Sequence, residues 1–256
     1  MLAAGTGYGQ AVRSGFSGGA LPKQDDVASS KQALGFTVNF FGTNFYGVYV
    51  TDNGYVTFDG QKTDFTPEGL KNNQTKIIAP FFADVDTSSP LSSAITWGQG
   101  SVNGRRAFGV NWVNVGYYFA NGDKLNSFQL VLIDRSDRRA GDFDFEFNYD
   151  RILWEAGDLN NIAFGGVCGS LCDPPSVGYS NGLAGSANVS FEWPGSHVAG
   201  AFLDRNTSTG LKYRQFGGSG VNGRLLFQVI NGVVIGTPTI SALNPPSAPE
   251  IGRAHV

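Results

Sequence analysis

Aromatic and polar residues alternate without a break from Asp142 to Tyr149, and this segment constrains the fold more than any other in the chain. Successive side chains of a β-strand point to opposite faces of its sheet, so a period of two separates the two kinds of residue completely. One face receives the rings of Phe143, Phe145, Phe147 and Tyr149. The other receives the polar groups of Asp142, Asp144, Glu146 and Asn148. We therefore predict a strand whose rings enter a hydrophobic core and whose acidic side chains point into solvent.

Further strand-like runs lie on both sides of this segment, with turn residues between them. Asn53-Gly54 separates two such runs and predicts a tight hairpin, because both residues tolerate a positive φ. Residues 77–83 are continuously apolar, as in a strand buried on both faces, and Pro80 within them predicts an edge position or a bulge. No window shows sustained helical periodicity. We therefore expect an all-β chain: a single antiparallel two-sheet β-sandwich, jelly-roll-like, with little or no helix.

The composition agrees with a folded domain and argues against some classes of function. Of the 256 residues, 41% are hydrophobic and only 15% are charged, which supplies enough apolar surface for a core. The net charge of −3 and the scattered basic residues argue against nucleic acid as a partner, because that partner needs concentrated positive charge. The stretch Arg135–Arg139 is interleaved with acids and is expected at a charged hairpin tip. No apolar run reaches the about 20 residues of a membrane-spanning helix, so we expect no transmembrane segment.

The two ends of the chain differ in character from its middle. We expect residues 1–20 to be a lead-in, residues 21–235 to form the β domain, and residues 236–250, rich in Pro, Ser and Ala, to be a linker. Residues 251–256 match one reading frame of a common sequencing adapter, so we expect them, with His255, to carry no function. The first residues lack the basic start and apolar core of a signal peptide, so none is expected in this fragment.

The order of several segments resembles the nidogen-type (NIDO) extracellular domain. The segments lie between about residue 21 and residue 234: Phe40–Thr43, Val50–Gly54, Ile78–Thr87, Asn126–Asp134, Gly141–Asp150, Trp154–Gly157 and Val177–Gly182. The resemblance implies an extracellular module associated with cell–matrix adhesion, and it brings no catalytic residues with it. The chain lacks the Cys-rich modules of the animal proteins and has an insertion around residues 168–175. We therefore expect a bacterial-like or environmental member, secreted or held at a cell surface.

Asp84 and Asp86 have the best case for binding a metal ion. They stand at alternate positions after the apolar run 77–83, and calcium, a hard cation, prefers carboxylate and carbonyl oxygens. The complete EF-hand pattern is absent, and Thr87 and Ser88 suit a capped turn equally well. We therefore expect no required cofactor and keep calcium as a candidate ligand. A further candidate cation surface, more typical of a solvated face, is the acidic row of Asp142, Asp144, Glu146 and Asp150.

Motifs that could indicate an enzyme fail on their context, so we expect no catalytic residues. Gly178–Gly182 matches G-x-S-x-G, which in hydrolases places a serine on a strand-to-helix turn near a histidine base. The residues after Ser180 cannot form a firm helix. Only His197 follows it before the suspect last residues, and Glu192 is the only acid between them, so the order of a triad fails. Paired carboxylates also serve glycosidases, but no spacing in the acidic row selects two of them.

Cys168 and Cys172 are the only cysteines of the chain. We expect them to form a small disulfide in a loop rich in Gly and Pro, in keeping with an oxidising compartment. A metal site is less favoured, because no second Cys or His pair completes it.

These features together predict an extracellular adhesion or binding module, whose partner is an extracellular protein or glycan not identified by the sequence. The alternative from another class is a carbohydrate-binding or glycan-processing β-sandwich, in which exposed rings stack on sugars. The candidate rings are Trp97, Trp154, Tyr117 and Tyr118. A flat shelf of exposed rings would favour this alternative, and buried rings would count against it. A purely structural spacer in a surface array is a third alternative.

Overall fold

The strand-forming runs build sixteen β-strands in a computed structural model, which describes residues 10–71, 73–157, 163–169 and 172–238. In chain order the strands are β1 (Gly19–Ala20), β2 (Gln32–Phe40), β3 (Thr43–Val50), β4 (Val56–Thr57), β5 (Lys76–Phe82), β6 (Thr96–Val102), β7 (Arg105–Tyr117), β8 (Asn121–Asp134), β9 (Phe143–Arg151), β10 (Ala163–Phe164), β11 (Val167–Cys168), β12 (Ser176–Asn181), β13 (Ser190–Glu192), β14 (Gln215–Phe216), β15 (Arg224–Ile230) and β16 (Val233–Ile235). The helical content of these residues is two short 3-10 turns, Gly185–Ala187 and Leu211–Tyr213.

Two sheets face each other, which confirms the predicted all-β sandwich. The larger sheet has the order β1-β6-β7-β8-β9-β15-β14, with β16 also paired to β15, and the smaller has the order β13-β12-β5-β4-β3-β2. Neighbouring strands are antiparallel except for β14 and β15, which are parallel. Strands β10 and β11 form a separate small ribbon.

The predicted hairpin at Asn53-Gly54 joins β3 to β4, where Val50 pairs with Val56. Gly54 adopts a φ of +76°, and a Cβ at this position would lie 1.8 Å from the carbonyl oxygen of Phe81 on the neighbouring strand. Both the backbone conformation and the close approach therefore require glycine.

Pro80 lies inside the smaller sheet, between β12 and β4, and not at its edge. The second predicted option, a bulge, is present, because the pairing of β12 with β5 shifts register between Ser176 and Gly178. A proline donates no hydrogen bond, so an irregular ladder is where a central strand tolerates it.

The core lies between the sheets and is dominated by aromatic rings. All four rings of the β9 alternation are buried in it, as predicted. Phe145 stacks on Phe227 of β15 with ring centroids 4.7 Å apart, and Trp112 stacks on Phe128 at 5.3 Å. Phe128 also meets Phe81 of the smaller sheet, with ring centroids 5.3 Å apart, and burying each such side chain contributes about 1.5–3 kcal/mol to holding the sheets together.

The polar face of β9 is not exposed to solvent, and that part of the prediction is wrong. Asp142, Asp144 and Glu146 expose only 1%, 5% and 4% of their surface. The backbone of residues 11–18 lies over this outer face of the larger sheet and is tied to it by hydrogen bonds and by Phe16. Glu146 is therefore covered by a segment that precedes it by more than a hundred residues in the chain, whereas Asp144 is enclosed by the turn between β8 and β9.

Arginines neutralise the covered acids. Arg13 donates from Nε and Nη2 to the two carboxylate oxygens of Glu146, at 2.7 and 2.8 Å. Arg135 and Arg138, in the β8–β9 turn, both donate to Asp144. Because a buried carboxylate is stable only with a partner, these ion pairs explain how an acidic row can lie beneath another segment.

Candidate functional site

Three connecting segments meet at one end of the smaller sheet. Residues 21–31 precede β2, residues 51–55 join β3 to β4, and residues 83–87 follow β5. Since β2, β3, β4 and β5 are antiparallel neighbours in this sheet, these connections lie at the same end of the sandwich. The sequence brings acidic side chains to this end from all three segments.

Asp86, one of the two predicted metal ligands, serves as a turn cap. Its Oδ1 accepts hydrogen bonds from the backbone N–H and the hydroxyl of Ser88, and its Oδ2 accepts one from the N–H of Ala120 at 2.6 Å. Both oxygens are therefore engaged within the protein, which favours the capped-turn interpretation for this residue.

Asp84, the other predicted ligand, lies in a group of carboxylates. Oxygens of Asp25, Asp26 and Asp84 all lie within 4.8 Å of one another. The Asp84 carboxylate also lies against the backbone of Gly157, where a Cβ would come within 2.5 Å of Oδ2. We call Asp25, Asp26 and Asp84 the carboxylate triad.

Asp52 and Asn53, at the β3–β4 turn, are fully buried beside the triad. Asn53 donates from Nδ2 to Asp26 Oδ1 at 2.9 Å, and its own Oδ1 accepts from the N–H of Val85 at 2.8 Å. One side chain thus connects the segment that carries Asp26 to the segment that carries Asp84. Sequence reasoning assigned these residues to an ordinary turn.

The segment that carries Asp25 and Asp26 is held at both ends. On one side, Thr87 and Gln24 exchange backbone and hydroxyl hydrogen bonds, including Gln24 N to Thr87 Oγ1 at 3.0 Å. On the other side, Val27 N donates to Asp52 Oδ2 at 3.0 Å, and Asp52 N donates to Val27 O at 3.0 Å. The triad is therefore positioned by the fold before any ligand arrives.

Burial and mutual repulsion disfavour the charged forms of these acids. Burial, then the charges of Asp86 and Asp26, raises the pKa of Asp25 to about 6. Burial, then the charges of Asp25 and Asp26, raises the pKa of Asp84 to about 7. Burial, with Asp26 and Asp25 nearby, raises the pKa of Asp52 to about 8. Without a positive partner, these acids therefore keep their protons to a higher pH than an exposed carboxyl group does.

The serine of the G-x-S-x-G motif does not meet the histidine. Ser180 is a buried residue of β12, and its hydroxyl donates to the carbonyl of Asn73 at 3.3 Å. His197 contacts Ser176 instead: its Nε2 lies 3.0 Å from Ser176 Oγ and 3.1 Å from Glu192 Oε1. A catalytic triad places the hydroxyl and the acid on opposite ring nitrogens, so this contact has the wrong arrangement.

The rings proposed for sugar stacking do not form a shelf. Trp97, Trp154 and Tyr117 are buried, and Tyr118 is half-buried. The exposed ring nearby is Phe119, which lies at the tip of the β7–β8 hairpin and exposes 71% of its surface. The buried rings count against the carbohydrate-binding alternative.

The two cysteines are joined by a disulfide between Cys168, at the end of β11, and Cys172. The N–H of Cys168 donates to Glu155 Oε1 at 3.1 Å, which ties this loop to the residues after β9. In the described residues no helix is both long and apolar enough to cross a bilayer.

Two family models match the chain. The model described as NIDO related matches residues 7–161, and the nidogen-like domain model matches residues 92–231. Each covers more than half of the chain. This chain belongs to the nidogen-like domain family. The acidic site of this nidogen-like domain draws on residues within the first match, and β9 and β15 lie within the second.

Curated relatives of the nidogen-like domain are similar over about half of the chain. Mouse (Mus musculus) alpha-tectorin is 32% identical over 167 residues, which is 53% of this chain and 7% of the relative. Nidogen of Drosophila melanogaster is 27% identical over 135 residues, 44% of this chain and 10% of the relative. Mouse nidogen-2 is 29% identical over 150 residues, which is 47% of this chain and 11% of the relative. The chain thus spans only a small part of the length of these relatives.

These relatives are animal proteins, and they give no support to a bacterial-like or environmental origin, which stays a prediction. No solved structure matches the chain.

Sequence reasoning found one member of the carboxylate triad and missed the others. Asp84 stands directly after a buried strand, and this position indicated a candidate metal ligand. Asp25 and Asp26 are adjacent acids before a strand, and Asp52 is an acid in a hairpin turn, and each pattern is common on protein surfaces. One signal in the sequence could have found them. Acidic residues occur in three connecting segments, and antiparallel pairing of the strands brings these segments to the same end of the sheet.

Proposed function

We propose that this chain is an extracellular adhesion module that binds a matrix protein or glycan and catalyses no reaction. The observation that carries the proposal is the family match over residues 7–231. The family resemblance implies an extracellular module of cell–matrix adhesion. The contacts of His197, with both partners on one ring nitrogen, give no support to a hydrolase.

The end of the sandwich that carries the triad is the best candidate for the binding surface. The tip of the β7–β8 hairpin is held there, because Tyr118 N donates to Asp84 O at 3.3 Å and Ala120 N donates to Asp86 Oδ2. Between these two anchors, Phe119 exposes 71% of its surface. Leu91, 68% exposed, lies beside Gly122 of the same hairpin.

Large apolar side chains on an anchored loop are suited to recognition. A ring that is already fixed loses little conformational entropy when a partner covers it, and aromatic residues dominate the energetics of interfaces. The neighbouring acids add a charged rim that favours a partner with basic groups. We therefore assign the contact with the partner to Phe119 and its surroundings.

The first prediction concerns this surface. In surface plasmon resonance, the immobilised chain should bind at least one member of a panel of purified matrix glycoproteins and uncharged matrix glycans in a saturable manner. Replacing Phe119→Ala should weaken that binding about tenfold or more, because a central aromatic contact is worth more than about 1.4 kcal/mol.

The matched control is Tyr46→Ala, since Tyr46 is equally exposed, at 68%, but lies on β3 away from the hairpin tip. This variant should bind within about twofold of the wild type. Failure of the wild type to bind any member of the panel would contradict the proposed function. Equal losses in both variants would contradict the assigned surface.

A further inference from the structure

We propose that Asp25, Asp26 and Asp84 bind one calcium ion, with the buried carboxylate of Asp52 completing the acidic wall of the site. The ion joins the three connecting segments at this end of the sandwich. The proposal does not depend on the adhesive function and can be tested without a partner.

The geometry of the triad suits a single calcium ion. Calcium binds oxygen at about 2.3–2.6 Å, so two ligands of one ion lie at most about 5 Å apart. The three carboxylates each offer an oxygen within 4.8 Å of the others, which meets this limit. The hydrogen bonds at Gln24, Val27 and Asn53 hold them there without occupying every oxygen.

An independent observation comes from Asp52. This residue is 0% exposed, and its Oδ2 is fixed by Val27, the residue that follows the triad pair. In the described structure its Oδ1 is buried and accepts no hydrogen bond, and the same is true of Asp25 Oδ1. Buried polar atoms nearly always have a partner, so the unpartnered oxygen of Asp25 within the triad, and that of Asp52 in the adjoining β3–β4 turn, favour a missing positive ligand.

The contrast with the outer face of the larger sheet supports this reasoning. There, buried Asp144 and Glu146 are paired with arginines. At the triad, no Lys, Arg or His among the described residues forms an ion pair with Asp25, Asp26, Asp52 or Asp84. Arginines of the chain thus neutralise the acids of the larger sheet, whereas we expect a cation from solution to neutralise the acids of the triad.

The chemistry of the donors selects the kind of cation. The triad offers hard carboxylate oxygens and neither sulfur nor imidazole, which argues against zinc and copper. Magnesium demands a small octahedral shell and releases its waters reluctantly, whereas calcium accepts several carboxylates in an irregular arrangement. A calcium affinity in the range of extracellular modules, with a Kd of about 10⁻⁴–10⁻³ M, is expected.

Bound calcium would also act on the proposed recognition surface. Asp84 carries a triad oxygen on its side chain and accepts a hydrogen bond from Tyr118 through its backbone carbonyl. The position of Asp84 therefore sets the position of the hairpin tip. Calcium that fixes Asp84 also fixes Phe119, which follows Tyr118 directly.

The test is isothermal titration calorimetry of the whole chain with CaCl₂ after removal of divalent cations with EDTA, together with thermal unfolding. We expect one calcium ion per chain and a rise in Tm of about 5–10 °C at about one hundred times the Kd. MgCl₂ at the same concentration should give a much smaller shift. Absence of calcium heat, or a Tm shift no larger than that with MgCl₂, would overturn the proposal.

Substitutions locate the ion. Asp84→Asn and Asp26→Asn should each weaken calcium binding at least about tenfold, because each removes a charged ligand. Asp26 is exposed, so its variant folds even where Asp84→Asn does not. Asp59→Asn is the matched control, since Asp59 is an exposed acid whose contacts are with Lys76, a hydrogen bond from the backbone N–H of Lys76 at 3.1 Å and a long ion pair, and this variant should bind calcium as the wild type does. Wild-type affinity in the Asp26 variant would refute the assigned ligands.

Discussion

Single residues at the β3–β4 turn decide whether the acidic site can form. Asn53 holds Asp26 and Val85 at the same time, and Gly54 lets the turn approach Phe81. Neither role depends on a charge or on a recognisable motif. The site is therefore supported by residues that a search for metal ligands would pass over.

Gly54→Ala is expected to destabilise the fold strongly, because the added methyl group meets the Phe81 carbonyl and the φ of +76° is unfavourable for alanine. Gly42→Ala is the matched control, since Gly42 has a φ of +82° but open space around it. We expect Gly42→Ala to cost about 1–2 kcal/mol and Gly54→Ala clearly more, in urea unfolding. Similar losses in the two variants would show that the close approach to Phe81 is unimportant.

At the scale of elements, the outer face of β9 shows how a segment remote in sequence completes a sheet. Residues 11–18 carry Arg13 and Phe16 onto the larger sheet, where Arg13 pairs with Glu146 and Phe16 fills a small apolar cluster. The segment is fixed by charge and by packing together. Loss of Arg13 would leave the buried Glu146 carboxylate without its main ion-pair partner.

Arg13→Ala is expected to destabilise the chain by about 2–4 kcal/mol, because it leaves the buried Glu146 carboxylate with a long hydrogen bond from Asn148 and the more distant cation of Arg224, at 3.6 Å. Arg105→Ala is the control, since the Arg105–Asp137 pair is exposed and should be worth less than about 1 kcal/mol. Urea unfolding of both variants measures the difference. Equal, small effects would contradict a structural role for the covering segment.

The strands and the core face could be predicted from the sequence because they follow from local periodicity. The alternation in β9 places four rings correctly, and Asn53-Gly54 and Pro80 mark a hairpin and a bulge. The burial of the opposite face could not be predicted, because alternation separates the two faces without saying what covers either of them. The same limit applies to the site, where Asp25, Asp26 and Asp52 come together only through the pairing of distant strands.

At the scale of the whole molecule, the two groups of buried acids differ in whether a basic side chain neutralises their charge. Arginines pair with the acids on the outer face of the larger sheet, and the acids at the end of the smaller sheet have no ion pair among the described residues. The first arrangement stabilises the domain permanently. In the second, the proposed calcium ion would offset the repulsion among acids that the fold already holds close together.

This difference places the acids without an ion pair, among the described residues, at the end of the nidogen-like domain that also carries Phe119. The chain covers only 7–11% of the length of the relatives compared above. A module whose recognition surface is stabilised by calcium would bind its partner more tightly where calcium is abundant. The proposed partner contact at Phe119 and the proposed ion thus belong to one mechanism.

The most direct test of this account is a crystal structure of the chain grown with calcium, with anomalous diffraction used to locate the ion. We predict one ion at the triad, bound by oxygens of Asp25, Asp26 and Asp84 at about 2.3–2.6 Å. A structure with saturating calcium that shows no ion there, and instead shows these carboxylates hydrogen-bonded to one another as shared-proton pairs, would contradict it.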